Sequence, residues 1–341
     1  MDLRRTIQCI HARRSLSRDE SRVAIASMLS GECDPLQVAA LLSAWAVHGE
    51  SADEIAGAAD ALCASMVEFA HDHVDAIDTC GTGGDGLSSF NLSTAAAIVA
   101  AGAGAHVIKH GNRSQSSRCG SADLLEAAGV ALDLSPESSR RVLDECAITF
   151  LFAPAYHPAL RNAARVRRAL GVRTVFNFAA PIANPGRVRR QLLGVADRSH
   201  VAALAHVLTE FGRESAYVVH GAGGADELTL AGANRVENVG RAPRASFDAS
   251  ALGLDAAPVE KLAGGGAEDN LRILRSVLAG EKSSIADAVL LNAAAALVVA
   301  GIARDPSEGV ARARESVASG AARTKLTHWI DSTRTKRACS A

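Results

Sequence analysis

HVDAIDTCGTGGDGLSSFNLSTAAAIVAA, residues 73–101, decides the fold. A short apolar run is followed by a glycine loop and then by an alanine-rich run. Residues 73–79 read as a strand ending in Cys80-Gly81-Thr82-Gly83-Gly84-Asp85-Gly86, and residues 93–101 read as a helix. The next stretch repeats the device. A strand over 105–109 runs into the polar loop HGNRSQSS at 110–117, and a helix covers 121–128. Further strands are expected at 147–152, 174–178 and 216–220, the last followed by GAGGADE at 221–227. Strands that alternate with helices predict a largely parallel sheet, whose ligands gather beyond the carboxyl ends of its strands.

Upstream, residues 1–70 predict helices only. Ser17-Arg18-Asp19-Glu20 is a capping-box pattern, followed at helical spacing by Val23, Ile25, Met28 and Leu29. Asp34-Pro35 starts a second helix with Val38, Leu41, Leu42 and Trp45, and Ser51-Ala52-Asp53-Glu54 starts a third. Downstream, residues 232–268 read as strands and loops and 269–330 as helix, with a frayed end, TRTKRACSA, at 333–341. The expected architecture is α/β: a small all-helical domain and a larger domain with a mostly parallel central sheet.

Composition excludes several function classes. The 341 residues carry 36 Lys plus Arg against 37 Asp plus Glu, and aromatics make up 4%. Neither a basic footprint nor a stacking platform is present, so no nucleic-acid partner is expected. The apolar run at 292–303 is too short to cross a bilayer and reads as a buried helix, and no membrane partner is expected. The N-terminus lacks the apolar core of a signal peptide. Seven scattered cysteines without a C-x-x-C pair fit a reducing, cytoplasmic setting.

Four groups of residues carry candidate chemistry. Gly81-Thr82-Gly83-Gly84-Asp85 lets backbone amides approach a phosphate, and Asn91-Leu92-Ser93-Thr94 opens a helix whose N-terminus favours anions. Alone, this reads as a tight turn with an ordinary N-cap. It is neither a Walker A loop nor a dinucleotide fingerprint. Lys109-His110-Gly111-Asn112-Arg113 with Ser116-Ser117 gathers cations, an amide and hydroxyls suited to a diphosphate and a sugar. Asp226-Glu227 after a glycine loop suits Mg²⁺, and equally suits a helix first turn. On a helix, Arg161, Arg165 and Arg168 share one face while Arg167 points elsewhere, and one inward arginine would clamp a carboxylate. His157 before Pro158 reads as a helix-start residue.

Taken together, the motifs resemble the anthranilate phosphoribosyltransferase family. The matching stretches are GTGGD at 81–85, NLST at 91–94, KHGNR at 109–113, GSADLLE at 120–126, LFAPAYHPAL at 151–160, VRRALGVRTVFN at 166–177, NP at 184–185, DEL at 226–228 and DAVLLNAAAAL at 287–297. The resemblance covers nearly the whole chain. It implies a nucleoside phosphorylase/phosphoribosyltransferase-like fold, with a helical domain over 1–70 completed by about 165–190. An α/β domain over 71–164 and 191–341, a hinge and a homodimer are implied with it. It also implies that phosphoribosyl diphosphate meets Gly81, Gly84, Asp85, Ser89, Asn91, Leu92, Ser93, Thr94, Lys109, His110, Gly111, Asn112, Arg113, Ser117 and Ser121. Lys109 and Arg113 would stabilise the leaving charge. Mg²⁺ would sit on Ser93, Asp226 and Glu227, and anthranilate on Gly81, Asn112 and Arg167.

Two departures stand out. Ala180-Pro181-Ile182-Ala183-Asn184-Pro185 replaces the family's Gly-Pro-Leu-x-Asn-Pro, which adds a methyl group in the implied acceptor channel. Ser88-Ser89 replaces a pair ending in Thr and keeps the hydroxyl. Alternatives are a related transferase with another aromatic acceptor, a pyrimidine nucleoside phosphorylase, and a nucleic-acid-binding member of the fold.

Overall fold

The structure is a computed structural model that describes residues 3–114 and 118–338. Four helices come first, Leu3–His11, Arg18–Ser30, Pro35–His48 and Ala52–Ser65. Both expected capping boxes form, with the Ser17 and Ser51 hydroxyls accepting from the amides of Glu20 and Glu54. Each such cap contributes about 1 kcal/mol. Glu54 is fully buried and is satisfied twice, by the amides of Leu16 and Ser51, each at 2.7 Å.

Six strands then form one sheet: β1 (Ile77–Gly81), β2 (Val107–Gly111), β3 (Ile148–Phe152), β4 (Arg190–Gly194), β5 (Ser215–His220) and β6 (Arg235–Gly240). The order is β3-β2-β1-β4-β5-β6. All pairs are parallel except β5–β6. The chain winds outward from β1 through β2 to β3 and then returns to β4 on the other side of β1. That places a switch point between β1 and β4, where such sheets open a ligand crevice.

Side chains along each strand alternate between two cores. Leu192, Tyr217 and Val219 face helices Leu92–Gly102 and Ser284–Val299, while Leu193, Ala216 and Val218 face helix Val201–Glu210 and the N-terminal helices. Helix Leu92–Gly102 buries Ala95, Ala96 and Ala97 beside helix Ser284–Val299, where small side chains let two backbones approach. The apolar run at 292–303 is thus largely a buried helix, and no helix of the described residues is long and apolar enough to cross a membrane. Helices Arg161–Leu170 and Val175–Ile182 pack on the N-terminal helices, with Ala163, Val175, Phe176 and Phe178 sharing the core of Ile25, Leu41, Trp45 and Ile55.

The structure corrects the strand readings in three places. The strand expected at 174–178 is helix Val175–Ile182. The Thr174 amide donates to Asn177 Oδ1 at 3.1 Å, a helix-start contact that overrides the Val-Phe-x-Phe alternation. Central β4 was not expected, because RQLLG is too short for its period to separate buried strand from buried helix. The strands expected at 73–79 and 105–109 begin and end later, so Cys80, Gly81, His110 and Gly111 are strand residues, not loop residues, and Lys109 lies within its strand as expected.

Candidate active site

The carboxyl ends of β1, β2 and β5 meet at the N-terminus of helix Leu92–Gly102 and enclose a cleft of about 370 Å³. Its far wall is made by Leu160, Arg167, Phe176, Asn177 and Ala180 from the helices Arg161–Leu170 and Val175–Ile182 and their approach.

The floor is acidic. Asp226 reaches under the glycine loop and accepts the Gly83 amide at 2.6 Å. Gly81 permits this approach, since a Cβ there would lie 2.2 Å from Asp226 Oδ2. Gly84, at φ +78°, turns the loop through a region that disfavours other residues. Glu227 accepts the Ser93 amide at 2.8 Å, so this acid caps the helix that the Asn91 side chain leaves uncapped. Ser89 Oγ stands 3.5 Å from the other Glu227 oxygen. Asp85 accepts the Leu87 amide through Oδ1, while its buried Oδ2 has no hydrogen-bond donor among the described residues. Burial, and then the neighbouring Asp85, push Asp226 far above the ordinary carboxylate range. Burial and Asp226 do the same to Glu227.

Among the described residues no salt bridge pairs these carboxylates, and buried acids so gathered ask for a cation. An all-oxygen set of Asp85, Asp226, Glu227 and the Ser93 hydroxyl suits a hard ion such as Mg²⁺. Lys109 is the nearest buried cation. Its ammonium donates to the Thr79 carbonyl and to Ser93 Oγ at 3.3 Å, which places it under the helix start. Burial lowers its pKa, against the pull of Asp78 and the two floor acids.

The wall is basic. Of the arginines on helix Arg161–Leu170, Arg161, Arg165 and Arg168 are exposed and Arg167 turns inward. Its guanidinium lies 5.1 Å over the Phe176 ring and 3.5 Å from Asn177 Oδ1, and among the described residues no carboxylate pairs with it. Burial lowers its pKa to about 10, which leaves it charged at neutral pH. A half-buried arginine without an acid fits an incoming carboxylate.

The structure gathers Gly81, Gly84, Asp85, Ser89, Asn91, Ser93, Thr94, Lys109, His110, Gly111, Asn112, Arg113, Ser121, Arg167, Asp226 and Glu227 around this one cleft. Two expectations need correcting. Leu92 does not line it, because its side chain is buried in the core of the sheet. Arg113 lines the cleft but its guanidinium is held by Asp123 at 3.0 Å and Glu126 at 2.7 Å, away from the floor. Ser117 lies outside the described residues. His110 and His157 are buried with rings 5.0 Å apart, and burial holds them neutral, near pKa 3 and 4. His157 donates through Nε2 to the Ala183 carbonyl at 3.0 Å, more than a helix-start role.

Sequence reading missed the residues that brace the two sides. Asn177 spans them, capping its own helix while Nδ2 reaches the Thr82 carbonyl at 3.4 Å. Under the floor, Asp78 accepts the His110 amide at 3.2 Å and Asn184 Nδ2 at 2.9 Å. Arg213, also buried, bonds Gln191 Oε1 and the Ile182 carbonyl. Asn177 and Asn184 lay within recognisable motifs, whereas nothing local marks Asp78 or Arg213.

Comparison with known proteins fits this geometry. Residues 73–323 match the α/β domain and residues 4–66 the helical bundle domain of a glycosyl transferase family. An anthranilate phosphoribosyltransferase of Myxococcus xanthus is 47% identical over 336 residues, covering 97% of this chain and 99% of that protein. The crystal structure of anthranilate phosphoribosyltransferase from Thermus thermophilus superposes with a TM-score of 0.90 at 42% identity, covering 98% of this chain and 100% of that one. The Saccharomyces cerevisiae enzyme in complex with PRPP and Mg superposes with a TM-score of 0.89 at 28% identity, covering 98% of each chain.

Proposed function

The chain belongs to the anthranilate phosphoribosyltransferase family, and we propose that it joins the phosphoribosyl group of 5-phosphoribosyl 1-diphosphate to the amine of anthranilate. Pyrophosphate leaves and N-(5-phosphoribosyl)anthranilate, an intermediate of tryptophan biosynthesis, forms. The observation that carries this reading is the polarity of the cleft: buried acids on the floor and, on the wall, Arg167 with no carboxylate partner among the described residues.

The donor's diphosphate lies along the glycine loop and the start of helix Leu92–Gly102, whose amides face it. Mg²⁺ held by Ser93, Asp226 and Glu227, with Asp85 beside them, would neutralise diphosphate charge. Anthranilate sets its carboxylate on Arg167 and its ring beside Ala180, with Gly81 and Asn112 at its amine end. The amine attacks C1 of the ribose as the C1–O bond to pyrophosphate breaks, with oxocarbenium character on the sugar. Lys109 holds positive charge beneath the leaving group, and Arg113 joins it by leaving Asp123 and Glu126. An aromatic amine is a free base near neutral pH, so the site needs no strong general base. Orientation of both substrates supplies much of the rate.

The core that residues 163–183 share with the N-terminal helices supports a helical domain completed by that segment. Exposed Leu36 and Val47 on helix Pro35–His48 support a homodimer through that domain. The free cysteines support a cytoplasmic setting. The test is anthranilate fluorescence with purified protein, 5-phosphoribosyl 1-diphosphate and Mg²⁺. Loss that EDTA abolishes is expected. A folded protein that binds the diphosphate but leaves anthranilate untouched would move the acceptor to another aromatic acid.

A further inference from the structure

At the opposite, amino-terminal edge of the sheet, His73, Asp75 and His106 bring one donor atom each within 4.8 Å of one another. His73 and Asp75 lie on the segment leading into β1, and His106 directly precedes β2. The Ile77 amide donates to the His106 carbonyl at 2.9 Å, which fixes the two segments side by side. The two rings lie with centroids 4.2 Å apart.

We propose that these three residues form a binding site for a borderline divalent ion such as Zn²⁺, separate from the oxygen site in the cleft. Two imidazoles and one carboxylate are the ligand types such an ion selects, and Mg²⁺ disfavours them. A tetrahedral ion with bonds of about 2.1 Å sets its ligand atoms roughly 3.4 Å apart. His106 Nδ1 and Asp75 Oδ2 are already 3.1 Å apart, so an ion entering between them replaces the proton they share, which moves to Nε2. His73 closes the remaining gap by rotation of a half-buried side chain.

A second observation points the same way. Asp144, on helix Pro136–Cys146, meets His73 Nε2 at 2.9 Å and leaves Nδ1 for the ion. A carboxylate on the far ring nitrogen is the arrangement that orients metal-binding histidines. Arg140 lies 3.7 Å from the other Asp144 oxygen and 3.0 Å from Asp72, so the acids beside the site are partly balanced. With water in the fourth position, the ion would tie the segment joining the helical layer to the sheet onto the start of β2.

Titration of the full chain with Co²⁺, in excess Mg²⁺ to saturate the cleft, tests this through visible absorption. One equivalent is expected to bind with ligand-field bands and no thiolate charge-transfer band. His73→Gln and His106→Gln should each weaken it at least tenfold, and Asp144→Asn by a smaller factor. Transferase turnover should stay within about twofold in all three variants, since none lies near the cleft. Titration curves of both glutamine variants that superpose on the parent, or a thiolate band in the parent, would overturn the proposal.

Discussion

The floor and the wall of the cleft solve opposite electrostatic problems with different parts of the chain. The floor is local in sequence terms: each of its loops leaves a parallel strand, and the strand order alone brings 81–85, 109–113 and 226–227 together. The wall is not local. Arg167 belongs to a helix packed on the N-terminal bundle, and it reaches the cleft only because that bundle shares a core with the sheet. The floor gathers buried acids and the wall holds a buried arginine. The difference teaches that donor and acceptor are held by different elements, which meet through a shared core and, at the cleft itself, through the Asn177 contact to Thr82.

The strongest attempt to break this comparison removes the floor. Asp226→Asn with Glu227→Gln should lower turnover about a hundredfold or more, corresponding to roughly 3 kcal/mol of lost charge stabilisation. Excess Mg²⁺ should restore only part of it. Near-parental turnover in a steady-state assay would show that the floor acids do not carry the reaction.

Removing the wall should do less, and do it elsewhere. Arg167→Gln loses a charged hydrogen-bonding partner worth about 1.5–3 kcal/mol, so the KM for anthranilate should rise roughly 10- to 100-fold. The KM for the diphosphate should stay within about twofold of the parent. A rise in both together would mean that the two sides are not independently held.

The pH response sharpens the same contrast. Burial raises the pKa values of Asp226 and Glu227, so in the free protein they hold protons to higher pH than exposed acids do. A metal ion requires them ionised, so Mg²⁺ affinity should tighten as pH rises through the neutral range, by at most about tenfold per unit for each proton released. Calorimetric titration with Mg²⁺ in buffers of different ionisation enthalpy would count those protons. Arg167 stays charged over the same range, its pKa near 10, so anthranilate binding should not follow that dependence.

Ala180 offers the smallest effect. Ala180→Gly removes one methyl group from the wall, worth about 0.8 kcal/mol, so the anthranilate KM should shift by no more than about fourfold. A larger shift, measured against substituted benzoates, would make this position a determinant of acceptor choice.

These two regions also differ in how legible they were. The floor could be read from the chain because glycine loops and paired polar residues recur at strand ends, and the resemblance named most of them. Leu92 was misplaced there because motif membership says nothing about which side of a helix a side chain takes. Arg113 sits in the expected place but in a local ion pair that the sequence spacing of Asp123 and Glu126 did not announce. The wall was harder. The strand expected at 174–178 would have put Phe176 and Asn177 on a sheet, whereas a helix cap three residues long decided otherwise. Helical spacing set Arg167 apart from its three neighbours and the resemblance named it, but that it is the inward one comes from tertiary packing.

The most direct test is calorimetric binding of 5-phosphoribosyl 1-diphosphate with Mg²⁺ to three proteins: the parent, Arg167→Gln, and Asp226→Asn with Glu227→Gln. Separate floor and wall predict equal affinity in the first two and at least about tenfold weaker binding in the third. Equal losses in both variants would contradict it, because the diphosphate would then depend on the wall as much as on the floor.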